Sequence, residues 1–365
     1  MRFCLYPGML KAGGVGKNTL NLARKFIEAG HEVDLYLTKK EGDYLPQIPP
    51  KVNIYEGNGS ALKSIFSFAC FLRKTKPDAV ISARDYLNIT SFFSILLART
   101  KTPQIATIRT STKTDSNNRK QLFKLILKWL TTIIYPHIDQ IVAVSTPVAD
   151  DLAQYIGLSR EKIKVIYNPV VTDTMIEKSR GASALTQEHP TFFSKPYFIS
   201  IGRLSEEKDY ITLLTAFKKI NHNERYNLLI LGDGEDRDKL TKYIETNDMN
   251  TSVLMPGFVS NPYPYLLKAA ALISSSKWEG LPTVIIEALA LGVNVIATDC
   301  PGGSSEILNN GEYGWLTPPG DATAMSQSII KYIASPKEKS ILINRSHDFT
   351  DTLSANKYIE LIAKR

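Results

Sequence analysis

Short apolar stretches alternate with amphipathic ones along the whole chain. RFCLYPG and HEVDLYLT flank a stretch near Thr19–Ala29 that has helical periodicity, and DAVISA, QIATIR and QIVAVS follow as predicted strands. After Asn168 the pattern restarts: YFISIG precedes a predicted helix over Tyr210–Ile220, and NLLILGD, SVLMPG, AALISSS and NVIATD follow. Strands that alternate with helices predict an α/β protein with one parallel sheet in each half.

Clear periodicity is lost between Val170 and Pro196, and we predict the domain linker there. A chain of 365 residues suits two domains better than one hydrophobic core. We expect an N-terminal domain over residues 1–172 and a C-terminal domain over 173–349, with a last helix at about 350–365 that packs back on the first domain. No apolar run approaches the ~20 residues of a membrane span, and the N-terminus is typical of a first strand and not of a signal peptide.

Positive charge is concentrated in the first half of the chain. Residues 1–170 carry 24 Lys and Arg against 13 Asp and Glu, a net charge of +11, whereas residues 171–365 carry a net charge of −3. This asymmetry indicates an anionic partner for the N-terminal half. The three cysteines are far apart and the five histidines lack metal-binding spacing, which indicates a reducing cytoplasm, no metal site and no cofactor.

The segment GGVGK at Gly13–Lys17 precedes a predicted helix, where glycines let backbone N–H groups approach a phosphate. A nucleotide-binding P-loop, GxxxxGK[ST], would need glycine where Lys11 stands and a hydroxyl where Asn18 stands. Because that hydroxyl binds Mg²⁺, its absence argues against a P-loop. A purely structural turn, or a backbone contact to a phosphate-bearing ligand, remain as alternatives.

Two further loops carry charges at the expected carboxyl ends of strands, where parallel sheets bind ligands. Arg203 and Lys208 in GRLSEEKD follow YFISI and could hold a diphosphate, or else pair on the surface with Glu206 and Glu207. Glu279 and Glu287 in EGLPTVIIE flank a predicted helix start, and carboxylates accept hydrogen bonds from vicinal sugar hydroxyls. Helix capping would explain one of these glutamates, but it explains a pair among apolar residues less well.

Several motifs, in one order and spacing, resemble the family 4 glycosyltransferases. They are VSTPVADDLAQYIGLSREKIKVIYNPV, FISIGRLSEEKDYITLLTAF, LLILGDGEDRDKL and the segment from PGFVSNPYPYLLKAA to GEYGWLTPPGD. The resemblance covers nearly all of residues 140–330 and, more loosely, the GGVGK segment. It implies the GT-B fold, in which two Rossmann-like domains face each other across a cleft, and a retaining transfer from a nucleotide sugar.

The resemblance also implies roles for individual residues: Arg203, Lys208 and Glu279 as catalytic residues, and the others in donor binding. Glu287 matches the ligand of the donor ribose, and Glu279 faces the transferred sugar and its phosphate. Arg203 and Lys208 match the pair that holds the diphosphate, which makes a metal unnecessary. Backbone contacts to the donor are implied for Gly13, Gly14, Val259, Gly280, Leu281 and Pro282.

One position departs from the family pattern. Many relatives carry a histidine after the strand that matches QIATI, whereas this chain has Arg109, Thr110 and Ser111. No histidine of the chain fits that role. Arg109 is therefore expected either to form a structural salt bridge or to contact the acceptor or a phosphate. Retention remains possible because the leaving phosphate oxygen can itself accept the proton of the acceptor.

The resemblance therefore implies a retaining hexosyl- or N-acetylhexosaminyltransferase, with a UDP-sugar as donor and a lipid-linked or cell-envelope glycan as acceptor. The partners are then the donor, the glycan and an anionic membrane surface, with no nucleic acid. The acceptor class is an analogy with relatives that build capsule, O-antigen or lipopolysaccharide core. The alternatives are an ATPase that uses Gly13–Lys17 and a non-catalytic carbohydrate-binding protein.

The segment from Asn117 to His137 contains no acidic residue and has the pattern of an interfacial helix. Lys120, Lys124 and Lys128 recur at intervals of four, and Trp129 lies among apolar residues. Such a helix lies in a membrane interface with its lysines on lipid phosphates. We therefore expect a peripheral protein on the inner face of a bacterial cytoplasmic membrane. A core helix with a solvated lysine face is the alternative.

Overall fold

The computed structural model describes residues 1–11, 13–110, 121–182, 184–221 and 224–363, and of residues 121–124 only the helical backbone. The chain divides into two compact units, Met1–Val170 with Phe349–Arg365, and Val171–Asp348. Each unit is built on one parallel sheet, which confirms the predicted α/β class and the restart of the pattern in the second half.

The first unit contains a seven-stranded parallel sheet in the order β3-β2-β1-β4-β5-β6-β7. Its strands are β1 (Arg2–Gly8), β2 (Glu32–Leu37), β3 (Val52–Glu56), β4 (Ala79–Ala83), β5 (Gln104–Ile108), β6 (Gln140–Ala143) and β7 (Ile163–Val165). Its helices are α1 (Gly14–Glu28), α2 (Ile65–Thr75), α3 (Asp85–Ala98), α4 (Gln121–Ile134), α5 (Thr146–Ile156) and the last helix of the chain (Asp351–Ala363). The central strands are buried along nearly their whole length, which explains why they are continuous apolar runs.

The last helix belongs to the core of the first unit. Tyr358 and Ala355 are buried in the same cluster as Phe3 and Phe26. The Ser354 hydroxyl donates a hydrogen bond of 2.7 Å to the carbonyl of Tyr167. The chain therefore returns to the first unit after it has completed the second.

The second unit contains a six-stranded parallel sheet in the order β10-β9-β8-β11-β12-β13. Its strands are β8 (Tyr197–Ile201), β9 (Asn227–Leu231), β10 (Val253–Gly257), β11 (Ala271–Ser274), β12 (Asn294–Thr298) and β13 (Trp315–Thr317). Its helices are α6 (Asp173–Ser179), α7 (Ala184–Glu188), α8 (Pro190–Phe193), α9 (Tyr210–Ile220), α10 (Arg237–Thr246), α11 (Tyr263–Lys268), α12 (Thr283–Ala290), α13 (Ser304–Ile307), α14 (Ala322–Ala334) and α15 (Lys339–Ser346). The last helix of the chain is accordingly α16 (Asp351–Ala363).

Three local predictions need correction. The stretch from Val170 to Pro196 is not an irregular linker, because it contains α6, α7 and α8 and lies almost wholly in the second unit. These helices are too short for a helical repeat to be visible in the sequence. Helix α1 begins at Gly14, five residues before the predicted start. The prediction started too late because the glycine-rich first turn has low helix propensity. The short strands β3, β7 and β13 were not predicted.

Glycines in the loop after β9 allow it to pack against the loop after β8. Gly232 has a φ of +144°, and a Cβ atom there would lie 1.8 Å from the carbonyl oxygen of Gly202. At Gly234 a Cβ atom would lie 2.3 Å from the carbonyl oxygen of Leu204. Backbone hydrogen bonds hold the two loops together, from Gly202 N to Leu231 O and from Leu204 N to Asp233 O, both 3.0 Å. The LGDG sequence thus fixes the backbone that carries Arg203.

We expect Gly232→Ala to lower the free energy of unfolding by about 3 kcal/mol or more, because the new methyl group adds a backbone clash to an unfavourable φ. Gly320→Ala is the matched control, since Gly320 has a φ of +75° in the same unit and a Cβ atom there meets nothing within 4 Å. The control should lose only about 1 kcal/mol. Urea denaturation measures both, and equal losses would show that the loops move apart without cost.

Candidate active site

An ion pair joins the loops that follow two neighbouring strands of the second unit. Strands β8 and β11 pair in parallel, so their carboxyl ends lie at the same edge of the sheet. The Lys208 ammonium, after β8, pairs with the Glu279 carboxylate, after β11. Both side chains are largely buried, with 22% and 13% of their surfaces exposed. Pairing of Lys208 with Glu206 or Glu207, the alternative considered for the sequence, is therefore wrong.

Two serines complete this cluster, and the sequence analysis did not identify them. The Ser276 hydroxyl donates a 2.7 Å hydrogen bond to Oε1 of Glu279, the same oxygen that Lys208 contacts. The Ser275 hydroxyl donates a 2.7 Å hydrogen bond to the backbone carbonyl of Lys208. The available signal was the SSS run at the end of a buried strand, whose last serine lies three residues before the glutamate. Ser276 and Lys208 thus hold Oε1 of Glu279, and among the described residues no hydrogen bond to Oε2 is found.

The loop after β12 supports the segment Glu279–Gly280–Leu281–Pro282 from the other side. The Glu279 N–H donates to the Pro301 carbonyl and the Gly303 N–H donates to the Gly280 carbonyl, both at 2.9 Å. Gly302 has a φ of +134°, and a Cβ atom there would lie 2.2 Å from the Glu279 carbonyl. The glycines of DCPGG therefore serve close packing against the glutamate loop.

Glu287 lies on α12, which begins at Thr283 with Pro282 at its N-cap. It is 5% exposed and accepts a 3.4 Å hydrogen bond from the hydroxyl of Tyr263 on α11. Helix α12 has no acidic residue in its first turn, so Glu287 is not a capping residue. Tyr263, in the run NPYPY, was also missed by the sequence analysis. A buried carboxylate with polar neighbours is suited to binding a hydroxyl-bearing ligand.

The remaining predicted donor residues lie on loops at the carboxyl edges of their sheets. Arg203 directly follows Gly202 after β8, and its side chain is exposed. Val259 lies two residues after β10 and is half-buried. In the first unit, Gly13 is the exposed N-cap of α1 with a φ of +130°, and Gly14 is the first helical residue. A Cβ atom at Gly13 would meet nothing within 4 Å, so packing does not require this glycine.

Arg109 directly follows β5 in the first unit. Its Nη1 atom donates a long hydrogen bond of 3.4 Å to the side-chain oxygen of Asn168. Among the described residues no carboxylate pairs with it, so that part of the chain offers no structural salt bridge for Arg109. Burial lowers the pKa of Arg109 below its usual value.

The exposed face of helix α4 is apolar as well as basic. Leu125, Ile126, Trp129 and Ile133 are 46–65% exposed, whereas Thr131 and Ile134 are buried. The Lys128 ammonium lies 4.7 Å from the centre of the Tyr155 ring. A core helix that exposes only lysines is therefore not what the structure shows. Lys120 lies outside the described residues, as does the side chain of Lys124.

The described residues contain no group of three or more His, Cys, Asp or Glu side chains arranged to hold a metal ion. Within the same part of the chain, no helix is both long and apolar enough to cross a membrane.

Comparison with known proteins identifies the class. Residues 12–174 match the model of Glycosyltransferase Family 4, and residues 184–349 match that of Glycosyl transferases group 1. An uncharacterized glycosyltransferase, MJ1059 of Methanocaldococcus jannaschii, is 30% identical over 280 residues, which cover 71% of this chain and 68% of the relative. The fold and these matches define a glycosyltransferase of the GT-B fold.

Two further similar proteins span almost the whole chain. An α-1,4-N-acetyl-D-galactosaminyltransferase of Campylobacter jejuni, named for a PP-undecaprenol glycan substrate, is 24% identical over 100% of this chain and 99% of its own. The crystal structure of Anabaena Alr3699/HepE with UDP superposes with a TM-score of 0.81 at 18% identity and covers 100% of both chains. The chain belongs to the family 4 glycosyltransferases and is a hexosyltransferase by type.

Proposed function

We propose that this protein is a retaining glycosyltransferase that moves a hexose or N-acetylhexosamine from a UDP-sugar to a lipid-linked glycan. The observation that carries the proposal is the Lys208–Glu279 pair at the carboxyl ends of β8 and β11, with the Arg203 side chain exposed in the same loop as Lys208. The order of strands reverses between β8 and β11, and such switch points are where parallel sheets bind ligands.

The charges of this cluster suit a diphosphate leaving group. Lys208 and Arg203 supply two positive charges, and Glu279 offsets only one of them. Negative charge on the leaving diphosphate grows as the bond to the sugar breaks, so cations fixed beforehand stabilise the transition state more than the bound donor. No metal ion is needed in this scheme. The free oxygen of Glu279 then accepts a hydrogen bond from a hydroxyl of the transferred sugar.

Glu287 is proposed to bind the ribose of the nucleotide. Its carboxylate is buried beside the Tyr263 hydroxyl, and a carboxylate can accept hydrogen bonds from two vicinal ribose hydroxyls. The backbone around Val259 is proposed to contact the base. The amides of Gly280, Leu281 and the first turn of α12, together with Gly13 and Gly14, are proposed to contact phosphate oxygens.

The proposed transfer takes place on one face of the sugar. The bond between C1 and the leaving phosphate oxygen breaks, and a bond from the acceptor oxygen to C1 forms on the same face. The acceptor proton passes to the leaving phosphate oxygen. This scheme requires no side-chain base, in agreement with an arginine at position 109 where many relatives have histidine.

The donor and acceptor classes are supported by the relatives. The Anabaena protein was also solved with UDP-glucose, and the Campylobacter enzyme is named for a PP-undecaprenol glycan. Both similarities are weak in sequence but extend over the whole chain. We therefore propose UDP as the nucleotide and a lipid diphosphate carrier for the acceptor, with the basic N-terminal unit binding the acceptor.

A membrane-facing surface on the first unit would suit such an acceptor. Helix α3 packs against both α2 and α4, and all three expose large apolar side chains. We define the apolar face as Leu62 and Phe66 at α2, Phe93, Leu96 and Leu97 on α3, and Leu125, Ile126, Trp129 and Ile133 on α4. Residues 57–77, which include α2, contain four basic and no acidic residues. This combination of apolar and basic residues favours an anionic bilayer at the cytoplasmic side.

We expect Glu287→Gln to weaken UDP binding by roughly 10–150-fold, because a charged hydrogen bond contributes about 1.5–3 kcal/mol. The substitution keeps the volume of the side chain and an acceptor for Tyr263, so folding is preserved. Glu245→Gln, on the exposed surface of α10, is the control. Calorimetric titration with UDP makes the comparison, and equal affinity in both variants would remove the ribose assignment.

Transfer should persist in EDTA, because the proposed cations are side chains.

Lys17→Ala should keep most of the transferase activity, whereas Arg203→Ala should lower turnover strongly because it removes charge that stabilises the leaving group. Transfer is followed by mass spectrometry with a panel of nucleotide sugars. Mg²⁺-dependent ATP hydrolysis that disappears in Lys17→Ala would favour the ATPase, and UDP-sugar binding without turnover would favour a carbohydrate-binding protein.

Wild-type protein should sediment with anionic vesicles and detach as the salt concentration rises, since exposed charges are screened within about 10 Å at 0.1 M. Replacing Lys120, Lys124 and Lys128 by Glu should abolish sedimentation, because three lysines contribute roughly 3 kcal/mol at such a surface. The pair Phe66→Ser and Trp129→Ser should weaken it, while Ile330→Ser, an exposed apolar residue of the second unit, should not. Unchanged sedimentation of both the lysine and the apolar variants would exclude this surface.

A further inference from the structure

Two arginines follow neighbouring strands at the carboxyl edge of the first sheet. Arg84 directly follows β4 and Arg109 directly follows β5. These strands are parallel neighbours, with Ala83 paired to Thr107, so both arginines leave the sheet at the same edge. The order of strands reverses between β1 and β4, which makes this edge the ligand-binding switch point of the first sheet.

Arg109 has polar groups that the described residues do not satisfy. Its Nε atom is buried and has no hydrogen-bond partner, and its contact with Asn168 is long. It lines a cavity of about 10 Å³, the size of one water molecule, together with Pro7, Thr19 and Ala83. Among the described residues this half-buried side chain has no counter-charge, so its position is suited to an anion that approaches from the strand ends.

Arg84 supplies a second cation at this edge, and its side chain is exposed. Its backbone is strained, because a φ of +86° with a ψ of 143° lies in a region almost restricted to glycine. The guanidinium makes a 3.4 Å hydrogen bond to the hydroxyl of Tyr86. That hydroxyl would lie 3.9 Å from a Cβ atom at Gly8, the last residue of β1. Arg84 and Tyr86 therefore extend from the end of β4 toward the end of β1.

The two positive charges influence each other. Burial lowers the pKa of Arg109, Tyr358 acts in the opposite direction, and the charge of Arg84 lowers the pKa further. Helix α1 also reaches this place, because Thr19 and Leu22 line the same cavity. An anion held above the strand ends by both side chains would relieve their repulsion and supply an acceptor for the unsatisfied Nε–H of Arg109.

We propose that Arg84 and Arg109 form a binding site for a phosphate ester, with Tyr86 as an additional donor. Because the second unit carries its own proposed diphosphate site, we assign this one to the diphosphate of the lipid-linked acceptor; that assignment rests on the proposed function. The planar guanidinium fork matches phosphate oxygens pairwise. A structural arginine solvated by one water in the cavity is the competing explanation, and it predicts no response to phosphate.

The test measures binding of pyrophosphate by calorimetry and by thermal melting in an Arg203→Ala, Lys208→Met, Glu279→Gln background, which removes the proposed donor cations without leaving Glu279 as an uncompensated charge. Sodium chloride at equal ionic strength is the reference. Pyrophosphate should bind and raise the melting temperature. Adding Arg84→Gln should reduce the affinity roughly tenfold or more. Arg99→Gln is the matched control, because Arg99 is exposed, has a φ of +53° and lies at the opposite end of α3.

A second variant tests the role of Arg109. Arg109→Met removes the unpaired charge, so it should melt at or above the temperature of the parent in chloride and lose the response to pyrophosphate. The proposal is overturned if the background protein ignores pyrophosphate, or if Arg84→Gln binds it as well as Arg99→Gln does. Neither result bears on UDP binding by the wild-type protein, so the proposed function is tested separately by the Glu287→Gln titration.

Whether the site binds the acceptor or the donor is tested with Arg84→Gln in the otherwise wild-type protein. If the site serves the acceptor, Arg84→Gln leaves the affinity for UDP unchanged and raises KM for a lipid diphosphate acceptor by about tenfold. If UDP affinity falls instead while pyrophosphate binding in the background protein is also lost, the site serves the donor and the acceptor assignment is wrong.

Discussion

The ion pair between Lys208 and Glu279 is the contact on which the candidate site depends. It joins loops that are 71 residues apart in the sequence and closes them over the ends of β8 and β11. A largely buried lysine without its glutamate would leave an uncompensated charge, which typically costs 3–5 kcal/mol. The glycines of the loops after β9 and β12 support this ion pair, because they let those loops pack closely against the loops that carry Lys208 and Glu279.

Such a pair also prepares the site electrostatically. The Ser276 hydroxyl and the Lys208 ammonium converge on one oxygen of Glu279, so the carboxylate is oriented before any ligand arrives. Fixed dipoles and charges lose less entropy on ligand binding than mobile ones. Glu287 is held in a comparable way by Tyr263. The two glutamates are thus positioned by different elements: Glu287 by α11, and Glu279 by the loops after β8 and β11.

The sequence predicted the parallel sheets because central strands buried on both faces are continuous apolar runs, as in YFISI and NLLIL. It also placed Arg203, Lys208 and Glu279 on loops that follow strands. It could not predict that Lys208 pairs with Glu279, because that depends on the order of strands in the sheet and not on neighbours along the chain. Ser276 and Tyr263 were missed for the same reason. Short elements such as β7 and α8 were missed because three or four residues are too few for a period to repeat along the sequence.

The path of the chain has a consequence for its synthesis. The first unit is left at Val170 and completed only by residues from Phe349 onward, and the Val170 N–H donates to the Phe349 carbonyl at 3.2 Å. The whole second unit is therefore an insertion before the last helix of the first. Because domains fold as units while the chain emerges from the ribosome, the second unit can be complete while the first still lacks α16. Until Tyr358 is synthesised, the apolar surface that it covers beside Phe3 and Phe26 is exposed to water, which makes the nascent first unit prone to aggregation.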